Sequence, residues 1–253
     1  MEKKSIYVAF SNQKGGVGKS AFTTLAASYL HYSGSKTVAV IDCDYPQHSI
    51  FAMRGRDKEM VNSNDAYKVM MAEQFEVIGK KAYTVLPSKP EDAIEAADKL
   101  VKASPAPVDA VFFDLSGTVH SPGILKSLMN LDYIFCPVIT DRLVMQSSLT
   151  YATTLQEYLK RSQQKNLKQI YLFWNQLVKT ENRELYDAYN AIIGKLNLNL
   201  LKTEIPFTIR YKKEMSLSNK QIFRSTLFPA QKQLLKGSNL DLLMNEICQI
   251  INI

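Results

Sequence analysis

Cysteine, histidine and tryptophan are scarce in this chain of 253 residues, which has three, three and one of them. Cys43, Cys136 and Cys248 are odd in number and far apart, and no CxxC or zinc-type spacing occurs. A disulfide framework and a structural zinc site are thereby excluded, and a reduced cytosolic chain is the simple reading. His31, His48 and His120 are isolated from one another, which argues against a histidine metal cluster. No uninterrupted apolar run approaches the ~18 residues of a membrane span. Only the short run Ile6–Phe10 lies between the opening Met-Glu-Lys-Lys and Ser11, too little for a secretory leader, so a cytoplasmic protein is expected. Internal repeats and low-complexity linkers are missing as well. Ser104-Pro105-Ala106-Pro107 is no more than a stiff loop, and a single domain over 1–253 is expected.

What is present is a core and a charge. Apolar residues make up 46% of the chain, ample for a buried interior, and the 22% of charged residues is ordinary for a soluble protein. The net charge of +7 favours an anionic partner such as nucleic acid, although many basic proteins have no such partner. Short β-branched and aromatic runs predict strands at Ile6–Phe10, Val38–Ile41, Val108–Phe113, Tyr133–Val138 and Ile170–Trp174. Tyr83–Leu86 and a weaker run at Leu200–Ile205 are further candidates. Helical spacing joins Phe22, Leu25, Ala26, Tyr29 and Leu30 on one face, then Ala93, Ala96, Ala97 and Leu100, then Leu149, Ala152, Leu155, Tyr158 and Leu159. Strands that alternate with helices and are apolar nearly throughout predict an α/β fold, a mainly parallel sheet with helices on both faces.

Between the first strand and the first helix runs Ser-Asn-Gln-Lys-Gly-Gly-Val-Gly-Lys-Ser, residues 11–20. Gly15, Gly16 and Gly18 let the backbone wrap around phosphates in front of a helix N-terminus, where amides and the helix dipole favour an anion. Val17 and Ala21 complete the cradle. Lys19 is placed to reach the β- and γ-phosphates, and the Ser20 hydroxyl to ligate Mg²⁺. Further on, four apolar residues, Ala110 to Phe113, precede Asp114, and an aspartate ending a strand beside such a loop is placed to hold Mg²⁺. Asp114 and Gly117 form D-x-x-G, a pattern able to sense a γ-phosphate.

The ordinary loop pattern, G-x-x-x-x-G-K-[ST], would need glycine where Gln13 stands. What is present is K-G-G-x-G-K-S with a second lysine, Lys14. This deviant loop resembles that of the ParA/MinD/Soj-like P-loop ATPases, and the resemblance runs along nearly the whole chain. It implies ATP and Mg²⁺ as ligands, hydrolysis to ADP and phosphate, and an ATP-dependent homodimer in which Lys14 reaches the partner subunit's phosphates. The segment Asp42-Cys43-Asp44-Tyr45-Pro46-Gln47 is similar to the family's Asp-x-Asp-Pro-Gln, with Tyr45 as one residue more. The resemblance puts Asp42 near the Mg²⁺ shell and makes Asp44 the residue that positions the attacking water. Asn175 matches the asparagine that reads the adenine edge, and Pro206 and Phe207 match the segment packed beside the base.

Within this family, ParA-like members bind DNA non-specifically through basic residues late in the fold. Lys202, Arg210, Lys212, Lys213, Lys220, Arg224, Lys232 and Lys236 stand there against Glu204 and Glu214. Arg210, Lys212, Lys213, Lys220 and Arg224 are the DNA-contact candidates, and a solvated basic face is the competing reading. A DNA-reading domain ahead of the loop is not expected, since few residues precede it. The end of the chain has an apolar face of Leu240, Leu243, Met244, Ile247 and Ile251, but the basic residues stop at Lys236. A helix docked on the sheet and capped by Ser238 is therefore expected rather than a membrane-binding one. The resemblance thus implies partition of a plasmid or other mobile element, with a centromere-binding-type partner protein stimulating hydrolysis and nucleoid association in the ATP state. A MinD-like positioning ATPase acting on a membrane or protein cargo is the alternative. An iron-sulfur reductase lacks its cysteine spacing, and a cobyrinate- or biotin-pathway ligase lacks a substrate signature.

Overall fold

The structure, a computed structural model, describes residues 4–117, 121–161, 166–178, 183–216 and 221–253. In chain order its elements are β1 (Ile6–Phe10), α1 (Lys19–Ser28), β2 (Val38–Cys43), α2 (Ser49–Ser63), α3 (Asp65–Ile78), β3 (Thr84–Pro87), α4 (Ala93–Ala103), β4 (Ala110–Leu115), α5 (Pro122–Met129), β5 (Tyr133–Val138), α6 (Arg142–Arg161), β6 (Gln169–Trp174), α7 (Arg183–Lys195), β7 (Asn199–Leu200), α8 (Lys232–Leu235) and α9 (Leu240–Ile251). The strands form one sheet in the order β3-β2-β4-β1-β5-β6-β7, and every pairing is parallel. The α/β fold read from the alternation is the observed one. β1 lies between β4 and β5, where the order of strands reverses. Such a switch point opens a crevice at the carboxyl ends of the strands, and the loop after β1 emerges into it.

Alternate residues of β1 serve two cores. Val8 and Phe10 pack with α1 and α9 on one face of the sheet, and Ala9 packs with residues of α4, α5 and α6 on the other. That double burial is why the strands are apolar throughout. α9 buries Leu240, Leu243, Met244, Ile247 and Ile251 in the first core, as its apolar face predicts. The Ser238 hydroxyl accepts the Leu240 N–H at 3.2 Å, so it does serve the helix start, while Asn239 at the N-cap adopts a left-handed conformation. Among the described residues no helix is long and apolar enough to cross a membrane.

Some boundaries differ from the sequence reading. β4 lies two residues later than expected because the Asp109 carbonyl and amide bond Ile6 and Thr37 just before the ladder begins. Asp114 is consequently inside the strand, in register with Asp42 of β2. The run Leu200–Ile205 is not one strand. Leu201 still donates to the Leu172 carbonyl, but the amides of Lys202 and Thr203 are taken by the Glu246 carboxylate of α9, at 2.7 and 2.9 Å. Ile205 then rejoins the edge by donating to the Trp174 carbonyl.

The α2–α3 pair has no counterpart among the predicted helices. α2 buries charge among its apolar residues Ile50, Met53 and Val61. Arg54 donates to the Thr226 hydroxyl (2.9 Å), the Thr226 carbonyl (3.0 Å) and the Tyr83 carbonyl (2.7 Å). One turn on, the Asp57 carboxylate accepts from the Thr226 amide and hydroxyl, both at 2.7 Å, and from the Ser225 hydroxyl at 3.0 Å. A buried arginine and aspartate satisfied in this way help anchor the helix and interrupt its hydrophobic periodicity.

Candidate nucleotide-binding site

The loop after β1 is held in place from its first residues. The Ser11 hydroxyl accepts from the Tyr151 hydroxyl of α6 at 2.6 Å. The Asn12 amide donates to the Pro137 carbonyl and to the Ser148 hydroxyl, both at 2.8 Å, while its oxygen accepts the Lys14 N–H at 3.1 Å. The loop is thus fastened to the end of β5 and to α6 before the glycines begin. Gly18 has φ +99, a conformation that side chains resist, and α1 starts at the next residue. Val17 is fully buried, and its carbonyl accepts from the Asn175 amide at 2.9 Å. Gly15 and Gly16 are exposed and turn their backbone to the crevice, with Ser20 and Ala21 half-buried behind them.

The two lysines have different surroundings. Lys14 is exposed. Lys19 is half-buried and donates to the Lys14 carbonyl at 2.9 Å. Burial pushes the Lys19 ammonium down from its ordinary value, and the nearby carboxylates of Asp114 and Asp44 oppose that.

Asp114 lies beneath the loop, 1% exposed, and neither of its carboxylate oxygens has a hydrogen-bond partner among the described residues. Burial pushes its pKa up to about 7, Asp42 and Asp44 add to the rise, and the Ser20 hydroxyl and Lys19 oppose it. Two orphaned buried oxygens beside a serine hydroxyl fit a divalent cation that also takes phosphate oxygens and water. Among the described residues no group of three or more His, Cys, Asp or Glu forms a metal cage of its own. Asp42 is fully buried and differently engaged. Its oxygens accept the N–H groups of Phe51 (2.8 Å) and Asp44 (3.3 Å), so the carboxylate caps the first turn of α2. Burial raises Asp42, and those amides counter it. Asp44 is half-buried near Lys19. The extra residue, Tyr45, is 55% exposed, with its ring 5.7 Å from that of His48.

Gly117 approaches the loop from the other side. A Cβ there would lie 2.6 Å from the Gln13 carbonyl oxygen and 2.7 Å from that of Asn12. Both are backbone atoms and have no rotamer by which to withdraw. Gly117→Ala should therefore displace the start of the loop and lower kcat/KM for ATP by roughly ten- to hundredfold. Steady-state phosphate release checks this, and unchanged turnover would show that the contact is dispensable.

At the far end of the loop is a cavity of about 240 Å³ lined by Gly16, Gly18, Ala21, Phe22, Asn175, Gln176, Pro206, Phe207, Thr208, Tyr211, Lys212 and Arg224. Asn175, Pro206 and Phe207, over thirty positions apart in sequence, meet here. β6 ends just before Asn175, and a bridge between Leu177 and Pro206 brings the second segment alongside. The floor is aromatic. Phe22 is edge-on to Phe173 with ring centroids 5.0 Å apart, and Tyr211 lies 5.6 Å from Phe22. An aromatic floor with amide side chains beside it suits a nucleoside base.

Four of the five DNA-contact candidates lie among the described residues. Arg210 donates to the carbonyls of Leu234 and Lys236. Lys213 donates to the Gln221 side chain. Arg224 pairs with Glu214 at 2.5 Å and, like Lys212, lines the cavity. Lys220 lies outside the described residues. Sequence reasoning also passed over Asn12, Gln176 and Tyr211, which hold or line the site. Asn12 carried a signal, as a polar residue directly after a buried strand, whereas the roles of Gln176 and Tyr211 depend on tertiary neighbours.

A search among curated proteins finds no match. The family model described as the CobQ/CobB/MinD/ParA nucleotide binding domain matches residues 8–220. Among solved structures, the cell division ATPase MinD of Pyrococcus furiosus is similar at TM-score 0.62 and 17% identity, covering 97% of this chain and 99% of its own. A candidate plasmid partition protein of Borrelia burgdorferi B31 bound to AMPPNP is similar at TM-score 0.58 and 20% identity, covering 96% and 98%. Cobyrinic acid a,c-diamide synthase of Mycobacterium smegmatis, with bound ADP and magnesium, follows at TM-score 0.56 and 16% identity, covering 81% and 87%. With the matched region spanning the loop, Asp42, Asp44, Asp114, Asn175 and Pro206, this chain belongs to the CobQ/CobB/MinD/ParA family of nucleotide-binding ATPase domains.

Proposed function

We propose that the chain is a ParA-like ATPase that binds ATP and Mg²⁺, dimerises in that state, binds DNA non-specifically, and is reset by hydrolysis to ADP and phosphate. The observation that carries this reading is the pair of lysines, with Lys19 tucked against the loop and Lys14 standing exposed on it. Lys19 and the loop amides hold the phosphates of their own site. Lys14 is free to meet those of a second copy, so its charge arrives only on dimerisation. Ser20 and Asp114 would hold Mg²⁺, with Asp42 behind them keeping the start of α2 in place. Bound there, the ion supplies Lewis-acid neutralisation of phosphate charge. Asp44, half-buried at the mouth, orients water for attack. Asn175, Pro206 and Phe207 clasp the base.

DNA binding rests on the net charge of +7 and on the exposed Lys202, Lys232 and Lys236, which together with Lys212 can meet phosphates without reading bases. The process served is partition of a plasmid or mobile element, with nucleoid association in the ATP state and a DNA-site-binding partner that stimulates hydrolysis. Retention on non-specific duplex DNA should require the triphosphate and fall steeply with salt. No retention with ADP, ATP or a slowly hydrolysed analogue would shift the reading to a MinD-like ATPase for another cargo. Lys14→Ala should keep ATP binding within about threefold but lose ATP-dependent dimerisation and at least tenfold in turnover. Sizing with ATP together with phosphate release checks this, and unchanged turnover would remove the cross-subunit role.

A further inference from the structure

The loop is fastened in two halves, each by different neighbours. Its later half is held through its carbonyls. The Gly16 carbonyl accepts from the Gln176 amide at 3.2 Å, that of Val17 from the Asn175 amide at 2.9 Å, and that of Gly18 from the Phe22 N–H at 2.9 Å. These ties run to the residues after β6 and to α1. The earlier half is held through Asn12, whose side chain is wholly buried. Its NH₂ group donates to the Pro137 carbonyl in β5 and to the Ser148 hydroxyl in α6, and its oxygen takes the Lys14 N–H at 3.1 Å. The partners fix which way round the amide lies, because a carbonyl only accepts and a backbone N–H only donates. Ser148 donates to the Val144 carbonyl one turn back in α6, at 2.7 Å, which leaves its lone pairs for Asn12.

This division separates the two lysines. Lys19 and the residues around it belong to the half tied to β6 and α1. Lys14 is exposed, yet its peptide is tied on both sides: its N–H to Asn12 and its carbonyl to the Lys19 ammonium at 2.9 Å. When Lys19 turns to phosphate, the bond from Asn12 still holds Lys14. Just before it, the Ser11 N–H donates to the Phe135 carbonyl at 3.0 Å, and the Ser11 hydroxyl accepts from Tyr151. The backbone from which Lys14 projects is therefore referenced to β5 and α6. A long side chain that must deliver charge to a distant phosphate depends on where its peptide stands, and a misplacement of about 1 Å costs up to a hundredfold in rate.

We propose that Asn12 is a positioning residue for Lys14, holding it to β5 and α6, and that it governs turnover in the dimer rather than nucleotide binding. This rests on the reading that Lys14 acts on the phosphates of a second copy. The test is a double-mutant cycle in the full chain between Asn12→Ala and Lys14→Ala. Phosphate release at saturating ATP and Mg²⁺ gives kcat, and calorimetry with a slowly hydrolysed ATP analogue gives Kd. Asn12→Ala should lower kcat about tenfold and leave Kd within about threefold. In the Lys14→Ala background the same change should alter kcat by less than about twofold, because the group it positions is gone. Ser148→Ala removes one anchor of the amide and nothing in the loop, and carries the test if Asn12→Ala does not fold. It should lower kcat about threefold, again only where Lys14 is present. An equal loss of kcat in both backgrounds would overturn the inference. So would ATP binding that weakens in parallel with kcat, or a kcat unchanged by either variant. An unchanged kcat in Lys14→Ala alone would overturn the cross-subunit reading itself, and this inference with it.

Discussion

Lys19→Ala should abolish measurable binding of ATP and ADP while leaving the protein folded. Among the described residues the Lys19 ammonium donates to the Lys14 carbonyl within the same loop. Its loss therefore removes little that holds the fold. For phosphate the change is large. Hydrogen bonds from a charged donor are worth about 1.5–3 kcal/mol each, and two such bonds to adjacent phosphates amount to a weakening of about a hundredfold or more. The half-buried setting adds to the loss, because Asp114 and Asp44 would then face the phosphates with no cation between them. Titration calorimetry beside a thermal melt separates the two effects. A Kd within tenfold of the parent protein, with the melt unchanged, would remove Lys19 from the phosphate site.

Asp114→Asn should lower turnover by about a hundredfold or more and yet give a more stable protein in the absence of metal. Both effects come from the same pair of orphaned oxygens. A carboxyl group 1% exposed, with the Ser20 hydroxyl and Lys19 beside it to favour its charge, is still costly to ionise. In the folded, metal-free chain it titrates at about 7, above the ~3.9 of an exposed aspartate. Between those values the folded state keeps a proton that the unfolded state has released. Its contribution to stability is complete below the lower value and is lost as pH rises through the upper one. Asparagine has no such slope. Melts in chelator should converge for the two proteins at acidic pH and separate as pH rises to about 7, with the variant higher. With Mg²⁺ and nucleotide the order should reverse. A variant that melts lower than the parent at neutral pH in chelator would show that Asp114 has a stabilising partner and is not held for a cation.

Much of this site is readable in order along the chain. The loop 11–20 carries its own chemistry, since glycine, lysine and serine at fixed spacing state what they bind. Asp114 is legible from four apolar residues ahead of it, and only its register with Asp42 required the sheet. Asn175 is legible as a strand-ending residue, but its grip on the Val17 carbonyl is a contact across 158 positions. The basic stretch reads poorly, because a count of charges does not reveal which are already spent. Arg210 is bound to carbonyls, and Arg224 is spent on Glu214 within the cavity wall. α2 reads worst of all, since its anchors are a buried arginine and aspartate where hydrophobic spacing is the only guide.

Those two anchors limit where the chain is able to move. The Asp42 carboxylate holds the first turn of α2 through the Phe51 amide, and Arg54 and Asp57 hold its middle to Ser225 and Thr226. Arg224, one residue before that anchorage, lines the cavity. The residues from Asp44 to His48 are therefore a short tether between two fixed posts, one at the end of β2 and one at the start of α2. Ordering a tether of that length forfeits the backbone entropy of only a few residues, at roughly 1–2 kcal/mol each. For the five residues together that is about 5–10 kcal/mol, more than one new contact to Asp44 returns, so the segment is set mainly by bonds already in place, the His48 N–H to the Asp44 carbonyl at 2.8 Å among them.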